Sequence, residues 1–166
     1  MGIVMGMSIP FMYHALRKEK LHQSIRDIEE VCSNARARAI MQGSMAELVF
    51  HAGPHNEVTF EVAGAAAPPK GDEAVAPGTA VPSESGLSTQ LPDGVAPAAF
   101  RINGIDYMQA SEGRVRFYPN GTCDELRLVL LGSSEHPPQM RGIFLEVTTG
   151  LATVESDQNK LMSEVR

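Results

Sequence analysis

The sequence predicts an α+β fold in which a long N-terminal helix packs on an antiparallel β-sheet domain. Three observations predict it. Apolar residues recur at steps of three and four from about Ser8 to Gln42, and after that the period changes to two. Later apolar runs are short and separated by Gly-containing turns instead of helical segments, which argues for antiparallel sheet and against βαβ units.

The helix reads as two halves. Residues 1–16, "MGIVMGMSIPFMYHAL", carry no formally charged side chain and run straight into "RKEK". A spanning helix needs roughly 20 apolar residues, so this run is too short alone, and it lacks the basic start of a secretory signal. It reads as the back half of a membrane helix whose beginning is missing, the alternative being a buried helix start in a soluble domain. Ile3, Val4, Met7, Ile9, Pro10 and Phe11 are its candidate membrane and assembly surface, with Met1, Met5 and Met12 adding lipid-facing or helix-packing side chains.

The second half, residues 17–43, is amphipathic. Leu21, Ile25, Ile28, Cys32, Ala35 and Ala39 form one stripe for a protein core, while Arg17, Lys18, Glu19, Arg26, Glu29 and Glu30 lie mostly off it. At 1.5 Å per residue the whole helix is a rod of about 50 Å, longer than a domain of this size needs. Pro10 is expected to bend it unless it falls in the first turn, and Gly43 to stop it.

Residues 44–155 read as the β-domain. In "AELVFHAGPHNEVTFEV", Leu48 and Phe50 precede a Gly53-Pro54 turn, and Val58, Phe60 and Val62 then alternate with polar residues, a hairpin with one wet face. Between Ala63 and Ala99 fall six of the eleven prolines and few large apolar side chains, so about 65–89 is expected to be an exposed loop or a partner-binding arm. Strand patterns return in "AAFRING", "IDYMQA", Val115 with Phe117, Leu126 to Leu130, Ile143 to Val147, and "LATVE". The tail, residues 156–166, would add a short helix or fray.

Little in the composition calls for catalysis. The chain has 166 residues, enough for one domain, and its net charge of −6 gives no global reason to expect nucleic acid. Cys32 and Cys123 are not spaced as a metal or redox pair, though a long-range disulfide stays open. Cys123 in "PNGTCDE" is the most tempting nucleophile, with His51, His55 or His136 as a base, yet no local motif pairs them. The same loop lacks the lysine and following helix of a P-loop, and Asp124 with Glu125 falls short of a calcium loop. Asn120-Gly121-Thr122 also fits a glycosylation acceptor. His51 and His55 are four apart, which suits zinc on a helix but not across a hairpin turn, so no metal or cofactor is expected. Arg36 and Arg38 sit beside a similar number of acids, and the expectation for them is a solvated helix face.

The order of these pieces is the informative part. An apolar half-helix with Ile9-Pro10, an amphipathic half ending "ARARAIMQG", a hairpin, a variable loop, then "RFYPNGT" and "GIFLEVTTGLATVE" resembles the type IV pilin-like proteins. The likeness is strongest to minor pseudopilins of the general secretion pathway protein H and FimT-like type. The short basic leader and first part of the membrane helix usual in that family do not precede Gly2. The resemblance covers nearly the whole chain through weak motifs in the right order, and it marks Pro119, Gly121, Thr122 and Gly150 as the family turns.

It implies a non-catalytic filament subunit held in a bacterial inner membrane by its complete helix, with the β-domain in the periplasm and other pilin or pseudopilin subunits as partners. This chain by itself would then be soluble or only partly anchored. A rival from a different class is a DNA-binding minor pilin, for which the tail, with Lys160 and Arg166 against Asp157 and Glu164, supplies no basic patch. A small secreted hydrolase built on Cys123 or the histidines is the third reading.

Overall fold

The computed structural model describes residues 9–52, 58–63, 87–132 and 138–165, with side chains from residue 20 onward except that of Ala63. Ile3, Val4 and Met7, the Gly53-Pro54 turn and most of the Pro/Ala-rich loop lie outside the described residues.

A long helix, α1 (Ile9–Gln42), runs for 34 residues. Its stripe is buried as a set, with Leu21, Ile25, Ile28, Cys32, Ala35 and Ala39 each no more than 4% exposed. Val31 and Ser24 are buried with them. Ser24 tolerates this because its hydroxyl donates to the Lys20 carbonyl one turn back, at 2.9 Å. Arg26, Glu29 and Glu30 are exposed on the opposite side. Pro10 lies within two residues of the helix's described start, so any bend it causes falls at the limit of the described residues.

The strands form two antiparallel sheets. In the first, β1 (Ala46–Ala52) pairs with β2 (Val58–Ala63), β2 with β3 (Ser88–Gln90), and β1 on its other side with β6 (Glu112–Phe117). In the second, the order is β5 (Ile105–Asp106), β4 (Val95–Ile102), β7 (Leu126–Gly132), β8 (Gln139–Leu145) and β9 (Ala152–Glu155). The inner faces meet where the Phe50 and Phe100 rings lie 4.2 Å apart. α1 touches strands of both sheets, and its stripe joins Leu48, Phe60, Phe117, Leu128 and Ile143 in one core. At about 1.5–3 kcal/mol for each large side chain buried, this helix face is a major part of what holds the two sheets together.

A second, smaller core lies on the outer face of the second sheet. There α2 (Gln158–Val165) seats Leu161 on Ala99, Val129 and Met140. Two features of the sheet make room. A β-bulge between Pro97 and Ala99 turns two successive small residues, Ala98 and Ala99, toward this face. Across β7, on β8, is Gly142, where a Cβ would come within 2.6 Å of the Leu161 side chain. The Gln158 amide then ties α2 to the Met140 backbone in both directions, accepting at 3.1 Å and donating at 2.8 Å, as a neighbouring strand would.

One expectation is corrected. Ser88 and Thr89, placed in the exposed loop, belong to β3, because β2 needs a backbone partner on that edge: Phe60 pairs with Thr89 and Glu61 with Ser88. Of the two outcomes expected for the tail, the short helix is observed, docked through the fully buried Leu161. The "YPNGTCDE" segment turns tightly, with one antiparallel bridge between Phe117 and Cys123, and then joins β6 to β7 in the other sheet. It is the crossover by which the chain passes from one layer to the other.

Candidate functional site

The turns at Pro119–Thr122 and Thr148–Gly150 and the end of α1 meet at one place. Tyr118 to Gly121 closes a β-turn, with the Gly121 amide on the Tyr118 carbonyl at 2.9 Å. The Asn120 side-chain oxygen accepts from both the amide and the hydroxyl of Thr122, at 3.1 and 2.8 Å. Asn120 is thereby committed to the turn, and Pro119 sits at the position where a fixed φ helps most. The second turn is bracketed by Glu146, whose amide donates to the Leu151 carbonyl and whose carbonyl accepts from the Gly150 amide. Its carboxylate accepts from the Thr148 and Thr149 hydroxyls. The two turns are stitched by the Cys123 amide donating to the Val147 carbonyl at 3.0 Å.

Gly121 and Gly150 are in backbone contact. Both have positive φ, +86° and +63°, and a Cβ on Gly150 would fall 2.5 Å from the Gly121 carbonyl oxygen. Arg36 closes the junction from above. Its Nε donates to the Thr149 carbonyl at 2.8 Å, and its stem lies about 3.1 Å from where a Gly150 Cβ would be. The expectation of a solvated face for Arg36 and Arg38 is therefore wrong. Arg36 is half-buried as a clamp, and Arg38 places Nη1 in the interior with no hydrogen-bond partner among the described residues. The sequence did hold a signal for Arg36. It follows Cys32 by one helical turn and so flanks the buried stripe.

Cys32 and Cys123 are both buried in the core and both free. Burial pushes the Cys32 thiol up to about 12, with Cys123 and Glu29 adding to the shift. Burial likewise raises Cys123 to about 11, helped by Asp124 and opposed by Arg36. A thiol held this far above neutrality is a poor nucleophile, and the Cys123 Sγ instead contacts the Glu146 carbonyl at 3.5 Å.

His51 is exposed at the end of β1, opposite Thr59 and Glu112. His55, His136 and Arg166 lie outside the described residues. Asp124 accepts from the Arg116 amide, and Glu125 is ion-paired with Arg127. No group of three potential metal ligands occurs among the described residues.

Two arginines of the first sheet are paired. Arg114 meets Glu47 and Glu112, and Arg116 meets Glu47, across the outer face of the first sheet. Neither arginine is left as a free cation for a phosphate backbone. No described helix is long and apolar enough to cross a membrane. Ile9, Pro10 and Phe11 are part of α1 by backbone.

These features define an α+β protein with one long helix packed on antiparallel sheets. Comparisons of the chain with protein-family models, with curated proteins and with solved structures found no match.

Proposed function

We propose that this chain is a structural, non-catalytic subunit of a bacterial envelope filament, a minor pseudopilin of a type II secretion-like pseudopilus or of a type IV pilus. The observation that carries the reading is the junction of Arg36, Gly121 and Gly150. Three sequence pieces on which the family resemblance rests are far apart in the chain and meet in one contact, which gives a physical reason for their occurring together. The division of labour along α1 agrees with this. Among the described side chains its buried stripe runs from Leu21 to Ala39, and the sequence up to Leu16 is an uncharged apolar run.

In this account the apolar half of the helix anchors the subunit in the inner membrane and then passes into the filament core among neighbouring helices. Burial there is worth roughly 25 cal/mol per Å² of apolar area, so the helix dominates assembly and the β-domain is displayed. Other pilin-like subunits are the partners.

The test is a photo-reactive amino acid in place of Phe11, in the gene expressed in its own host. Cross-links to other pilin-like subunits are expected. An uncross-linked chain, or cross-links confined to proteins without such a helix, would contradict the proposal.

A further inference from the structure

A groove of about 590 Å³ runs over the outer face of the second sheet, between α2 and the ends of β7, β8 and β9. Its floor includes Phe144, its α2 wall Lys160, Ser163 and Glu164, and its mouth Glu146 and Val147. Most of its charge is already matched. Glu125 pairs with Arg127 at 2.7 Å, Glu164 with Arg127 at 2.8 Å, and Glu155 with Lys160 at 3.0 Å. Glu146 differs, because among the described residues its carboxylate meets only the neutral hydroxyls of Thr148 and Thr149.

Beside that carboxylate in the chain stand two exposed aliphatic residues, Val147 at 47% and Leu151 at 55%. Singly exposed aliphatics are ordinary. Here Val147 lines a groove with Phe144 in its floor and, among the described residues, a carboxylate that meets no cation. Among the described residues β9 is also the last strand of its sheet, with no strand neighbour on its outer edge. An unpaired edge favours an extended chain, whose backbone can continue the ladder.

We infer that this groove binds an extended segment of another protein in which a lysine or arginine stands next to a large apolar side chain. The apolar group lies over Phe144 and the cation meets Glu146. Charge complementarity selects the sign: the groove carries four carboxylates against two cations, in a chain of net charge −6. This inference goes beyond the filament reading. Peptide binding without helix-mediated cross-links at Phe11 would sustain the groove and sink the filament, and the reverse outcome would do the opposite.

The test is a nuclear magnetic resonance titration of the full chain with two capped synthetic peptides, Gly-Thr-Phe-Arg-Thr-Gly and the same sequence with Glu for Arg. Amide shifts from the Arg peptide are expected to concentrate on residues 144–148, 153–155 and 160–164. Affinity should be about tenfold lower for the Glu peptide, and lower by a similar factor for Glu146→Gln at an unchanged melting temperature. Equal affinity for the two peptides, full binding by Glu146→Gln, or no saturable shift up to about 10 mM would overturn it.

Discussion

Gly121 and Gly150 share a left-handed backbone but are unequal in what surrounds them. A Cβ on Gly121 would meet Arg36 at 3.6 Å, an ordinary contact, whereas on Gly150 it would meet a backbone carbonyl at 2.5 Å. Gly121→Ala should therefore cost only the conformational penalty, about 1–2 kcal/mol. Gly150→Ala must in addition force the two turns apart, and the Arg36–Thr149 bond with them. Denaturant melts of the two variants are expected to rank Gly150→Ala clearly below Gly121→Ala, and equal losses would mean that the turns do not abut. Both glycines were visible in the sequence as turn markers. Their contact was not, because it joins positions 29 residues apart through a sheet-to-sheet crossover that local patterning does not encode.

At the scale of elements, patterning was most legible where a periodic face is buried. The six-residue stripe of α1 and the alternation Val58, Phe60, Val62 could be read directly, since a step of three to four or of two fixes which side turns inward. It was least legible where backbone needs decide. β3 has no apolar pattern and exists because β2 requires an edge partner. α2 rests on the single buried Leu161 and on capping that sequence only hints at.

That capping gives a pH dependence. The Glu155 carboxylate accepts from the amides of Asp157 and Ser156 and from Lys160, and these bonds lower it from 4.5 to about 2. A depressed folded value means that its contribution is complete above 4.5 and is lost as pH falls through about 2. The Asp157 amide resonance should titrate with a midpoint near 2, and Glu155→Gln should abolish that titration. A midpoint near 4.5 would show that the carboxylate is not bonded to the start of α2.

At the scale of the whole molecule, two sheets are joined by one long helix. At 34 residues α1 spans about 51 Å, and the buried stripe accounts for its course from Leu21 to Ala39. Fold class was legible from the change of period alone. The division into two sheets was not, because β6 and β7 are separated by only eight residues and their alternation is the same whether they pair or part. The proposed function rests on the order of weak pieces, and the Arg36 junction supplies a mechanical reason for that order.

The account assigns stability to the second half of the helix and assembly to the first, which a pair of substitutions separates. Leu21→Asp buries an unpaired charge and should cost several kcal/mol, enough to unfold the β-domain. Phe11→Asp should leave the melting temperature unchanged. The most direct measurement is the amount of each variant in filaments sheared from the host envelope, beside its thermal melt. The account predicts that Phe11→Asp folds normally and is absent from the filaments. A Phe11→Asp chain recovered at the native level, or a native chain never recovered with filaments at all, would contradict it.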